Sequence, residues 1–133
     1  LVNLGIAYGR LGDVTKKRDL LERGLRIQER EDGPEHPDTI FTMRHLASSC
    51  GLLKDYSAQR DFLEQVLTIQ EKQHQAVATT ITNLGICFGN LGDKQRQNDH
   101  LEWALSLKEQ SLGEAHPDIV AALINAGRSN GHI

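Results

Sequence analysis

The 133-residue chain is 38% hydrophobic and 25% charged, with a formal net charge of −3. Those values fit about one folded domain and exclude both the basic excess of a nucleic-acid binder and the polarity of a disordered segment. No apolar run approaches the roughly 20 residues of a membrane helix, and no basic start precedes an apolar core as in a signal peptide. Two cysteines, Cys50 and Cys87, are too few and too far apart for a disulfide scaffold or a structural zinc site. A cytoplasmic, intracellular setting without nucleic acid or membrane as partner is the expectation, and the start at Leu1, inside an apolar pattern, reads as a piece of something longer.

In chain order, Leu1, Leu4, Ala7, Tyr8 and Leu11 recur at helical spacing and place one apolar stripe on a first helix. Gly12 can take the left-handed conformation that ends it, and Asp13 can cap a second helix, whose stripe is Leu21, Leu25 and Gln28. After Gly33, the His36-Pro37-Asp38 run suits a helix start: proline has a preset φ and no N–H to orphan, and the acid faces the positive helix end. His45-Leu46-Ala47 lies on the third helix. There Lys54 replaces the glycine while Asp55 keeps the cap, which predicts either a different turn or strain of about 1 kcal/mol. Phe62, Leu63, Val66, Leu67 and Ile69 mark the fourth helix, and Lys72-Gln73-His74-Gln75 then runs directly into Ala76-Val77. Ile81, Leu84, Cys87, Phe88 and Leu91, the Gly92-Asp93 joint, and Leu101, Ala104, Leu105 and Leu107 give the fifth and sixth helices. A last half unit follows, in which Leu123 and Ile124 have no second helix of their own.

These elements are copies of one unit. A shift of 80 residues lays Asn3-Leu4-Gly5-Ile6 on Asn83-Leu84-Gly85-Ile86, Leu11-Gly12-Asp13 on Leu91-Gly92-Asp93, and His36-Pro37-Asp38 on His116-Pro117-Asp118. A weaker copy lies between them at a shift of 42, and a fourth start appears at Asn125-Ala126-Gly127. The units run over 1–38, 39–75, 76–118 and 119–133, the first truncated and the last a half unit. The link after the second unit is four residues shorter than the others.

Asn3-Leu4-Gly5 through Tyr8 to Leu11-Gly12-Asp13, then Leu21-Glu22, Gly24-Leu25, Ile27 and the Gly33 to Pro37 connection, resemble the tetratricopeptide repeat in the long form found in kinesin light chains. The set recurs from Asn83 to Pro117, so the resemblance covers nearly the whole chain. It implies an all-α fold: an α-solenoid of antiparallel helix pairs in a right-handed superhelix, with the first helices lining a concave groove. It also implies a protein-interaction module that binds a partner peptide or protein in that groove, without catalysis or cofactor. The alternative is a structural or regulatory array of a larger signalling protein whose active domain lies elsewhere. The family usually carries alanine early in the second helix, where Lys17, Gln59 and Gln97 stand, so packing there must differ.

On the groove side the resemblance places Asn3, Asn83 and Asn125, with His45 breaking the ladder in the second unit. One carboxamide can clamp a bound backbone, or it can bond the neighbouring unit and hold the stack in register. Arg10, Arg44, Thr82, Asn90 and Arg128, with Ser48, are further groove candidates, and the arginines suit a carboxylate. Trp103 replaces the polar Arg23 and Gln65 of the other units and marks a contact with the last helix or a partner. No histidine pair has metal-ligand spacing on a helix, and the cysteines fall on or beside the stripe as core residues. Gly9, Gly51, Gly89 and Gly131 share one register and predict a low groove floor with room for a partner's backbone. The incomplete units predict end-to-end self-association, or fraying, at the last helix.

Overall fold

A computed structural model describes residues 1–112, which form six helices and no strand: α1 (Val2–Arg10), α2 (Val14–Glu31), α3 (Pro37–Leu52), α4 (Tyr56–Lys72), α5 (Ala78–Asn90) and α6 (Lys94–Leu112). Each helix packs on the one before it, so three antiparallel pairs stack into a solenoid of helical repeats. Two apolar cores bind the stack. Leu21, Leu25, Ile40, Met43, Leu46 and Val66 join the first pair to the second, and Ala47, Leu63, Leu67, Ile81, Leu84, Cys87, Phe88 and Ala104 join the second to the third. Both cores draw residues from two pairs, because a single pair cannot cover its own stripe.

The three turns within pairs are the same despite the sequence change at Lys54. Gly12 (φ 89°), Lys54 (φ 63°) and Gly92 (φ 85°) are all left-handed. In each case the next aspartate donates its N–H back five residues, Asp13 to Tyr8 at 2.9 Å, Asp55 to Cys50 at 2.8 Å and Asp93 to Phe88 at 2.9 Å. The aspartates then cap the following helices, accepting from Lys16, Ala58 and Arg96 N–H groups. The expected choice at Lys54 therefore resolves in favour of strain, since the lysine adopts the turn that glycine makes without cost.

The links between pairs differ. Between α2 and α3, Gly33 turns the chain (φ 90°), its carbonyl accepts the Thr39 hydroxyl at 2.9 Å, and His36 Nδ1 accepts the Asp38 N–H at 3.1 Å ahead of Pro37. Between α4 and α5, His74 takes the left-handed conformation (φ 56°), and Val77, the N-cap residue of α5, supplies no side-chain cap. A buried bond from the Thr80 hydroxyl to Gln70 Oε1, 2.6 Å, closes that shorter junction.

The glycine register is corrected by the structure. A β-carbon at Gly9, Gly51 or Gly89 would lie 2.5 Å from Lys17 Cδ, 2.6 Å from Gln59 Nε2 or 2.5 Å from Gln97 Nε2. The long side chains that stand where the family has alanine fill the space these glycines leave, and no low floor is left for a partner's backbone. Gly5 and Gly85 serve close approach instead, facing the Lys17 and Gln97 carbonyl oxygens at 3.2 and 3.3 Å from a would-be β-carbon. The half unit at 119–133, with Asn125, Arg128 and the expected contact at the last helix, lies outside the described residues.

Candidate functional site

A cleft of about 520 Å³ opens between α3 and α5, over α4. Arg44, Ser48 and Leu52 line it from α3, Thr79, Asn83 and Asn90 from α5, and Gln59 and Gln70 from below. Arg44, Ser48, Thr79, Asn83 and Asn90 are exposed. The Gln59 side chain reaches under Gly51, and its Oε1 is buried without a hydrogen-bond partner among the described residues. A second cleft of about 500 Å³ lies one junction earlier, lined by Val2, Asn3, Ile27, Gln28, Asp38 and Phe41. In repeat register Val2, Gln28, Asp38 and Phe41 correspond to Arg44, Gln70, Ala76 and Thr79 of the first cleft. The array thus repeats its opening at successive junctions with different side chains, Val2 and Phe41 at one giving way to Arg44 and Thr79 at the next.

The structure brings Arg44, Asn83 and Asn90 to one cleft and leaves Asn3 in the other. Arg10 is exposed at the end of α1. Thr82 and His45 are half-buried: the Thr82 hydroxyl donates to the Ala78 carbonyl at 2.9 Å, and the His45 ring packs on Phe41 with centroids 4.6 Å apart. Burial, with the nearby Lys17 and Arg10 charges, holds the His45 imidazole below its ordinary value. Sequence reasoning missed Gln59 and the apolar Phe41, Leu52 and Ile86, which are 45%, 67% and 50% exposed. The available signal was register: Thr79 stands at the place of Phe41, Arg10 and Asn90 at that of Leu52, and Ser48 at that of Ile86.

The remaining reactive groups point elsewhere. Cys50 and Cys87 are fully buried, Cys87 Sγ donates to the Tyr56 carbonyl at 3.2 Å, and burial pushes both thiols up, away from the reactive thiolate. Asp32, His36 and Asp38 bring ligand atoms within 4.8 Å of one another. All three are exposed, and the Nδ1 of His36 is already engaged as a helix cap. Trp103 is 39% exposed, beside His100 at 6.0 Å, and His100 in turn packs on Phe88 at 5.0 Å, so the histidine keeps its place on the stripe as a stacked ring. No helix among the described residues is long and apolar enough to cross a membrane.

Solved structures share this fold. BtubC (BKLC) from P. vanneervenii superposes with a TM-score of 0.76 at 20% identity, covering 87% of this chain and 48% of that one, a likeness of fold. A Podosopora anserina putative kinesin light chain with nearly identical TPR-like repeats gives 0.74 at 26% identity over 98% of this chain, and a single-substitution variant of that protein gives 0.75. The chain spans 65% of the length of those two proteins. No curated protein matches it by sequence. The tetratricopeptide repeat profile matches residues 1–72, and a second profile of the same description matches 77–118. Such repeats generally mediate protein–protein interactions and are typically non-enzymatic scaffolds. With the helix pairs, the shared turns and both profiles in agreement over most of its length, this chain belongs to the tetratricopeptide repeat family.

Proposed function

We propose that the chain is a scaffold domain that takes an extended segment of a partner protein along its concave side, gripped by Arg44, Asn83 and Asn90 in the α3–α5 cleft. The observation that carries this reading is convergence: two helix pairs direct an exposed guanidinium and two exposed carboxamides at one opening, whose floor holds the unpartnered Gln59 oxygen. A carboxamide both donates to and accepts from a peptide backbone, and a guanidinium pairs with a carboxylate through two parallel bonds. Asn3, Arg10, His45 and Thr82 continue the same line along the first helices. Asn3 and Asn83 are solvent-exposed, while the bonds that cross between pairs come from other groups, Arg18 to Asp55, Gln70 with Thr80, and Gln73 to Glu35. Those bonds support a division in which other groups hold the register and the asparagines face the partner.

The test replaces Arg44 and Asn83 together with alanine and compares quantitative affinity capture from the source cell extract, followed by titration of the captured partner against both forms. Partner affinity is expected to fall about tenfold or more, since two central polar contacts are lost, with helicity and melting unchanged. Lower melting with undiminished partner affinity would overturn the reading.

A further inference from the structure

We propose that the cleft between α1 and α3 is a binding site for an arginine side chain of a partner protein, with Asp38 pairing the guanidinium and Val2, Ile27 and Phe41 covering its stem. This site lies one junction before the α3–α5 cleft and stands or falls independently of it. The opening, about 500 Å³, is lined by Val2 and Asn3 from α1, Ile27 and Gln28 from α2, and Asp38 and Phe41 from α3. One carboxylate lines it, and no lysine or arginine does. The next opening is the reverse: Arg44 is its one charged lining residue, and Ala76 stands at the register place of Asp38.

Asp38 reaches this cleft without a counter-ion. Neither it nor the adjoining Asp32 pairs with a lysine or arginine among the described residues. His36 Nδ1 lies 3.8 Å from the Asp38 carboxylate, but that nitrogen accepts the Asp38 N–H and so has no proton to give. The apolar wall is equally open, with Ile27 and Phe41 40% and 45% exposed. On the inner wall Gln28 Oε1 is buried without a partner among the described residues. Its counterpart Gln70 accepts the Thr80 hydroxyl, whereas Thr42, in the register of Thr80, gives its hydroxyl to the Asp38 carbonyl at 3.1 Å. The cleft therefore joins unpaired acceptors to uncovered apolar surface, a combination its register partner lacks. An arginine answers both. Its methylene stem covers apolar surface while the head stays polar, its planar guanidinium stacks on an aromatic ring, and its fork donates two parallel bonds to one carboxylate. Lysine brings only a compact, strongly hydrated charge, and a wholly apolar side chain would strip water from Asp38 without replacing it.

The test follows the isotope-labelled chain by NMR while N-acetyl-arginine amide is added, with the citrulline and lysine analogues as controls. EDTA is present throughout, so that no divalent cation contributes at Asp32, His36 and Asp38. The arginine probe is expected to shift the Gln28, Asp38 and Phe41 resonances along one saturable curve, with a Kd on the order of millimolar. It is expected to bind about fivefold or more tightly than citrulline, which keeps the shape and loses the charge. Asp38→Asn removes the carboxylate but leaves the backbone N–H and carbonyl bonds at the start of α3, and is expected to weaken arginine to the level of citrulline. Phe41→Thr, which copies Thr79, is expected to lose the preference for arginine over lysine. Unchanged amide spectra away from the cleft check the fold of both variants. Equal binding of arginine and citrulline, undiminished arginine affinity in Asp38→Asn, no saturable shift, or shifts spread over the acidic surface instead of centred on the cleft would each overturn the site. The Arg44 and Asn83 double variant is expected to bind the arginine probe as the wild type does, so that the two clefts are judged separately.

Discussion

Lys54 occupies a left-handed turn that its two register partners fill with glycine. A β-carbon in that conformation crowds the following carbonyl at a cost of about 1–2 kcal/mol, partly offset by the looser unfolded chain that glycine brings. Lys54→Gly is therefore expected to stabilise the chain by about 1 kcal/mol, seen as a higher urea midpoint at unchanged slope. Beside it, Asp55 is held below the ordinary carboxylate value, first by the Arg18 guanidinium at 2.9 Å and then by the Ala58 N–H. A depressed carboxylate stabilises the folded form above its unfolded value of 3.8, and that contribution fades as the pH falls through the folded one. Wild type is thus expected to exceed Asp55→Asn in stability at pH 7 and to converge with it in acid melts below pH 3.8. The cap was legible in the sequence, because asparagine or aspartate after a helix stop has a local cause. The Arg18 partnership was not. Arg60 and Asp93 stand in the same register, yet Arg60 turns to Asp61 and Asp93 to Arg96. The shorter second link separates two junctions that look alike on paper.

Helix against helix, the two glycine registers that alternate along α1 and α5 have opposite uses. At Gly89 an added methyl displaces only the mobile amide end of Gln97, so Gly89→Ala is expected to gain up to about 1 kcal/mol of helix propensity. At Gly85 the methyl meets the Gln97 carbonyl and Leu101, which cannot swing away, and Gly85→Ala is expected to gain nothing or to destabilise. Thermal melting of both variants separates the two. The second pair already carries Ala47 at the close-approach register, so α3 and α4 admit the methyl that α5 and α6 resist. Helix positions, turns and stripes were readable because each follows from spacing within one segment. The filling of Gly51 by Gln59 was not, since it depends on where a side chain from another helix ends, and for the same reason the groove floor was misjudged.

Across the molecule, one register position has different energetic fates. Leu46 and Leu84 are 0% and 1% exposed between pairs, while Leu4 is 52% exposed because no described helix covers that face of α1. Leu46→Ala and Leu84→Ala are each expected to cost about 2–5 kcal/mol, and Leu4→Ala less than about 1 kcal/mol, by urea denaturation. Periodicity marked Leu4 and Leu84 as stripe residues and the repeat register laid Leu46 on them, but neither could rank the three, because burial depends on the neighbours in the stack. The two junctions also differ in the kind of bond that reaches across them. At the first, Arg18 grips Asp55, and Lys72 and Gln73 both hold Glu35, contacts that span 37 and 38 residues and skip over the adjacent helix or link. At the second, Gln70 meets Thr80 across ten residues and the Cys87 thiol donates to the Tyr56 carbonyl across 31, both bonds between neutral groups. Salt screens exposed ion pairs and leaves neutral buried bonds nearly untouched, so raising the ionic strength would loosen the first junction more than the second.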